Sequence, residues 1–244
     1  MPNPLDQSLS LQINHLFANS AFLRYQIELF GDSGVGRYLV AAVPVFLWFR
    51  LSAITDKTDP LTFKYRAIEI LLSFPPTFLI AKLIQRIVEQ SRPIASLPLE
   101  VIGDPRTWMT LKTTFDDVGS FPSDHAALFF LTSTFLWSVS RRLGAVAFFL
   151  SVYFCLLRVA YGYHWTSDII AGAILGITIA LILLKLEQFC RPQLAYLIRL
   201  LQARPAISAT LVFLVLADIA CGFDILLEGV FIKILKDILG LANI

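Results

Sequence analysis

A bundle of membrane-spanning α-helices is the fold class this chain predicts, and three observations carry the prediction. Of its 244 residues, 57% are hydrophobic and only 16% charged, with a mean hydropathy of +0.71, far too apolar for an ordinary soluble domain. The apolar residues gather in near-unbroken runs, and about 20 helical residues suffice to cross a bilayer core of about 30 Å. No repeat of 20 to 50 residues and no low-complexity tract is present, which favours one all-α polytopic bundle over a solenoid.

Six runs read as spans, at residues 37–54, 66–88, 124–140, 143–162, 167–187 and 206–223. Residues 1–30 alternate apolar groups such as Leu9, Leu11, Ile13 and Phe17 with polar ones. They lack the basic start and compact apolar core of a signal peptide, and predict an amphipathic, interfacial helix. The tail predicts a second, at 225–244, because Glu228, Lys233, Lys236 and Asp237 interrupt its leucines and isoleucines. Residues 1–244 thus read as a single membrane-embedded domain. Pro44 and the Pro75–Pro76 pair fall inside spans, where each ring removes a backbone donor and bends the helix.

Cys155, Cys190 and Cys221 are single and widely spaced, so neither a disulfide framework nor a structural zinc site is signalled. A net charge of +2, dispersed along the chain, gives no nucleic-acid footprint. Links of alternate parity share a membrane face. The face holding the links after spans one, three and five carries Arg50, Lys57, Lys64, Arg66, Arg141, Arg142, Lys185, Arg191, Arg199 and Arg204, ten of the chain's twenty basic residues; discounting Lys82, Arg86, Arg92 and Arg158, inside or at the ends of spans, and those on the terminal segments, this face reads as cytoplasmic. The long link from Pro93 to Phe121 and the turn from Tyr161 to Trp165 then lie on the extracytoplasmic face.

Ionisable residues at membrane depth are costly and usually face the protein interior or water. Three clusters of them fall on that one face: Gln85-Arg86 through Arg92-Pro93 at the end of span two, Pro122-Ser123-Asp124-His125 at the start of span three, and Arg158 through His164 to Asp168 between spans four and five. Each has a bland explanation. An arginine at a helix end can snorkel, and Ser123, Ser167 or Asp168 can cap a helix. Taken together, two of the chain's three histidines stand beside two arginines, a serine and a carboxylate. Paired arginines grip phosphoryl oxygens, and the first amides of span three form an anion site. The combination is suited to phosphate.

The spacing resembles the type 2 phosphatidic acid phosphatase (PAP2) superfamily of membrane lipid phosphatases. That family's first motif is Lys, six residues, then Arg-Pro, and Arg92-Pro93 fits its end. The second, Pro-Ser-Gly-His, stands here as Pro122-Ser123-Asp124-His125, and Arg158, His164 and Asp168 fit the third. The likeness covers roughly residues 66–187. Gln85 stands in place of the family lysine, with Arg86 adjacent and Lys82 almost one turn earlier as substitutes; Asp124 replaces a glycine and Leu157 a serine. The aspartate is similar to a variant among bacterial polyprenyl (undecaprenyl) diphosphate phosphatases.

The resemblance implies that His164 attacks phosphorus, that Asp168 accepts a hydrogen bond from its other ring nitrogen, and that His125 is the general acid and then base. Arg92, Arg158, Ser123 and the amides around Asp124 would hold the phosphoryl oxygens; Gln85 can add a neutral hydrogen bond, weaker than a lysine's, and either Arg86 or Lys82 can lean into the pocket in the family lysine's stead. No metal and no cofactor is implied, although His125, His164 and Asp168 are ligand types that zinc accepts. The expected partner is a membrane lipid: undecaprenyl diphosphate, or alternatively phosphatidylglycerophosphate, phosphatidic acid or lipid A. A transporter or scaffold using Glu69, Glu89 and Asp218 is the rival of another class.

Overall fold

The computed structural model describes residues 3–31, 34–49, 60–114 and 119–220, and every regular element among them is a helix. Ten helices follow in order: α1 (Pro4–Asn19), α2 (Ala21–Phe30), α3 (Val35–Phe49), α4 (Pro60–Val88), α5 (Pro93–Ser96), α6 (Pro105–Thr114), α7 (Asp124–Val139), α8 (Arg141–Tyr161), α9 (Thr166–Ala203) and α10 (Pro205–Ala220). The expected tail helix at 225–244, the end of the first span from Arg50, the last residues of the sixth, Lys57 and Cys221 lie outside the described residues.

Each of the six apolar runs contains a helix, and three stretches are long and apolar enough to cross a membrane: Leu61–Ser96, Arg141–Tyr161 and Thr166–Ala203. The helices α3, α7 and α10 are shorter, at 15, 16 and 16 residues. Sixteen residues rise about 24 Å. The helix α9 runs well past its expected end at 187, through Pro192, so the link expected to carry Arg191 and Arg199 is itself helical.

The described residues group into two compact units. The first comprises Met1–Ser33 with Pro76–Leu186, and the second Gly34–Pro75 with Glu187–Ile244. At the centre of the first lies α7, which buries residues on every side, including Ala126, Ala127, Leu131 and Phe135. One serine serves both ends of its hairpin with α8: Ser140 closes α7 and, through its hydroxyl, accepts the Leu143 amide at 3.5 Å to begin α8. Where α9 passes α7, Gly172 faces the Ser123 carbonyl and Gly176 that of Ala127, both so close that no Cβ fits. Lipid is as apolar as leucine, so helices in a bilayer gain by such close packing.

The amino-terminal residues form two helices rather than one, divided at Ser20. Their interfacial reading misses a buried polar stripe on α1: Asp6, Ser10 and Asn14 are each under 9% exposed. Four-residue spacing puts the three on one face. Asn14 donates to the Ala160 carbonyl at 2.9 Å and accepts the Glu100 amide at 2.8 Å, while Asp6 accepts the Ser167 amide at 3.0 Å. Thus α1 packs on α8 and supplies the free amides of the start of α9, a helix end that needs acceptors. The third histidine, His15, pairs with Glu100 at 2.5 Å on the exposed side.

In the second unit, Tyr65 and Ile68 of α4 pack against Leu194 and Ile198 of α9. Arg66 bridges Glu69 and Glu187, the latter at 2.8 Å, and Arg191 meets Glu187 at 3.3 Å. Glu69, a candidate transport group, is therefore neutralised by a partner one turn earlier.

Candidate active site

The three polar clusters of the sequence converge in the first unit, and the local structure of each explains how. The first depends on the end of α4, where Glu89 adopts φ 47 and its amide donates to the Gln85 carbonyl at 3.1 Å. A left-handed residue of this kind stops a helix and turns the chain. The turn carries Arg92 to the start of α5, where it is 5% exposed and donates to the carbonyls of Tyr163 at 3.0 Å and Gly119 at 3.3 Å. A guanidinium has five N–H donors, so Arg92 ties the turn after α8 to the loop before α7.

Ser123 is the N-cap of α7, its hydroxyl accepting the Ala126 amide at 3.3 Å, and its own amide donates to the Asp168 carbonyl at 3.0 Å. The capping reading of this residue therefore holds. The third cluster depends on Gly162, which ends α8 at φ 87, a conformation that glycine adopts without strain. After it come Tyr163, His164 and Trp165. Asp168, in the first turn of α9, reaches back to the Trp165 amide at 2.8 Å, as a capping box does. Its other oxygen accepts from Gln90 at 3.0 Å.

His164 is fully buried. Its Nδ1 meets the Ser120 carbonyl at 3.1 Å, whereas Asp168 stands at 3.7 Å, too far for a hydrogen bond. The expected His–Asp hydrogen bond is thus replaced by a bond to a backbone carbonyl, because Asp168 is occupied with α9 and Gln90. A carbonyl only accepts, so Nδ1 carries the hydrogen and Nε2 keeps its lone pair. That Nε2 is buried with no hydrogen-bond partner among the described residues. Burial pushes the imidazole down to about 4; Arg92 and Arg158 add to the effect, and Asp168 opposes it. The ring stays neutral at physiological pH.

Arg158 lies over the Tyr163 ring, 4.7 Å from its centroid, so both arginines flank one residue of the turn that holds His164. His125 enters from the first turn of α7, its Nδ1 2.7 Å from Asp124 Oδ1. The other oxygen of Asp124 is 3.4 Å from Lys82 Nζ. Ligand atoms of Asp124, His125 and His164 all lie within 4.8 Å of one another, close enough to share a small ion. A divalent ion would have to compete with Lys82 and His125 for the same carboxylate, and the hydrogen-bonded arrangement already satisfies it.

Two expected residues stand apart from the rest. Gln85 is 3% exposed and donates to the Pro122 carbonyl at 2.7 Å, which makes it a brace for the loop before α7. Arg86 is exposed. Helix geometry gives the reason: residues three apart differ by about 60° in direction and adjacent ones by about 100°, so Lys82 shares the face of Gln85 and Arg86 does not. Sequence reasoning passed over Ser120, whose carbonyl orients His164; no side chain signals it.

Among solved structures, a transmembrane PAP2-type phosphatidylglycerolphosphate phosphatase from Bacillus subtilis matches over 76% of this chain and 88% of its own, at 19% identity and a TM-score of 0.49. The lipid A 1-diphosphate synthase of Escherichia coli strain K12 is 38% identical over 63 residues, 25% of this chain and 27% of the relative. The alignment thus spans about a quarter of that relative. Residues 77–192 match the PAP2 superfamily. That segment contains His125, His164, Arg92, Arg158, Asp124, Asp168 and Lys82.

Proposed function

We propose that this protein is an integral-membrane lipid phosphatase working through a phosphohistidine, with undecaprenyl diphosphate, cleaved to the monophosphate, as its substrate. The observation that carries the reading is the state of His164: Nδ1 held by the Ser120 carbonyl and Nε2 buried with no hydrogen-bond partner among the described residues, within electrostatic reach of Arg92 and Arg158. A neutral imidazole with a desolvated lone pair is a prepared nucleophile.

His164 Nε2 attacks phosphorus, and the bond from phosphorus to the leaving oxygen breaks as His125 gives that oxygen a proton. Water then attacks the phosphohistidine, His125 takes its proton, and phosphate leaves from His164. Arg92, Arg158 and the first amides of α7 stabilise the charge that spreads over the phosphoryl oxygens. Asp168 acts on His164 through space and by fixing the start of α9, while the Ser120 carbonyl holds the tautomer. No cofactor or metal is assigned to the cycle. The domain sits in a bacterial inner membrane with its site on the extracytoplasmic face, at headgroup depth.

The choice of a diphosphate rests on Pro122-Ser123-Asp124-His125 and is supported by the named product of the Escherichia coli relative, itself a lipid diphosphate. That name favours a second reading, in which a lipid phosphate rather than water accepts the phosphoryl group. Purified protein in detergent, assayed on undecaprenyl diphosphate, phosphatidylglycerophosphate, phosphatidic acid and lipid A, should release phosphate fastest from the first. EDTA should leave the rate unchanged and vanadate should block it. Loss on chelation, restored by zinc, would reverse the metal-free assignment; absence of phosphate release with every lipid leaves the transporter or scaffold reading.

A further inference from the structure

The exchange of glycine for Asp124 places a carboxylate beside the phosphate site, where its charge should oppose the substrate. Its surroundings account for that charge. Asp124 is 5% exposed; Oδ1 accepts from the His125 amide at 2.8 Å and lies 2.7 Å from His125 Nδ1, and Oδ2 faces Lys82 at 3.4 Å. Lys82 is itself placed over the Phe78 ring at 5.1 Å. The carboxylate is directed into its own helix start and toward a cation on α4.

We propose, building on the phosphatase reading, that Asp124 is a positioning residue: it fixes hydrogen on Nδ1 of His125, so that Nε2 alone exchanges the proton with the leaving group, and Lys82 anchors its other oxygen. An ionised carboxylate at 2.7 Å accepts a charge-assisted hydrogen bond and stabilises the doubly protonated ring that acts as acid. After Nε2 delivers its proton the ring is neutral with Nδ1–H retained, ready to take a proton from water.

The two histidines are thereby given different partners for one task each. His164 rests on a neutral carbonyl, which keeps it an uncharged nucleophile; His125 rests on a carboxylate, which favours its charged, acidic form. Environments that push two like groups apart are how a site divides acid from base. Among the described residues, the other charged and titratable groups acting on Asp124 include Lys82 from α4, Arg92 from the start of α5, and His164 from the turn before α9. Lys82 also explains why glutamine is tolerated at position 85: the cation that the resemblance expects there is present one turn away, serving the carboxylate that replaced the glycine.

The test is leaving-group dependence of kcat/KM, which reports only the steps through formation of phosphohistidine. Dioctanoyl phosphatidic acid has a poor leaving group that needs the acid, and p-nitrophenyl phosphate a good one that does not. General acid catalysis contributes about 100- to 10,000-fold. Asp124→Asn should therefore lose roughly 30- to 300-fold on the lipid and less than about 5-fold on the aryl ester. His125→Ala should show the same selectivity, and the double variant should be no worse than His125→Ala alone. Lys82→Met should share the selectivity at smaller amplitude, and Asp124→Glu should recover part of the lipid activity.

Equal losses on both substrates in Asp124→Asn, or wild-type rates on both, overturn the inference while the phosphatase reading stands. A wild type that releases no phosphate overturns both. Lys82→Met keeps Asp124 and His125 intact, so a folding defect in Asp124→Asn does not remove the test.

Discussion

Replacing Gly172 by alanine adds one methyl group where α9 crosses the start of α7, and the structure fixes what it would meet. The new Cβ would fall on the Ser123 carbonyl oxygen well inside 3.0 Å, with the carbonyl carbon at 3.2 Å and Ala126 Cβ at 3.0 Å. Two of these atoms are backbone, so no rotamer relieves the overlap and the helices must move apart. Overpacking of this kind costs about 1–3 kcal/mol. At roughly 2–4 °C per kcal/mol for a chain of this size, the thermal midpoint should fall by about 2–12 °C.

The catalytic effect should be larger than the thermal one. Gly172 lies one turn after Asp168, and the carbonyl it would strike belongs to the residue that caps α7, two before His125. A shift there separates His125 from His164, and a misplacement of about 1 Å can cost about 100-fold in rate. The assay is kcat for phosphate release in detergent beside the thermal midpoint, with Ile174→Ala, 60% exposed on the same helix, as the control. Wild-type kcat and midpoint in Gly172→Ala would refute the claim that this contact sets the geometry of the site.

Other expectations follow from the same contacts. Burial depresses His164 from 6.5 to about 4, so the native state binds fewer protons than the unfolded chain between those values. Stability is then full above pH 6.5, declines as pH falls toward 4, and should decline less in His164→Gln; thermal midpoints in detergent across that window check it. Arg92→Lys should lose roughly 10- to 100-fold in kcat/KM, because one ammonium cannot span the Tyr163 and Gly119 carbonyls that the guanidinium joins. Arg86→Ala, at an exposed position, should stay within about two-fold of wild type, as surface changes usually do; a larger loss than that of Lys82→Ala would reverse the assignment of the site cation.

What was legible in the sequence follows from scarcity. In a chain this apolar, each charged residue at the end of a span needs a reason, and Arg92, His125, Arg158, His164 and Asp168 do meet. The end of span two at residue 88 matched the end of α4 to the residue, because polar Glu89 and Gln90 follow at once. Three features resisted reading. The Ser120 carbonyl orients His164, and a backbone acceptor has no letter. The Lys82–Asp124 pair depends on a helix face shared across one turn. The stripe of Asp6, Ser10 and Asn14 on α1 has no apolar period to announce it; Asp6 and Asn14 are buried because helix ends and a loop offer them partners.

The central claim is that Nε2 of His164 carries the phosphoryl group. Rapid quenching of the enzyme with lipid labelled by phosphorus-32, worked up under alkaline conditions, tests it most directly. The account expects an alkali-stable, acid-labile label on the peptide that contains His164, absent from His164→Ala and accumulating in His125→Ala when p-nitrophenyl phosphate is the donor. Label on another residue, or wild-type turnover by His164→Ala, would contradict it.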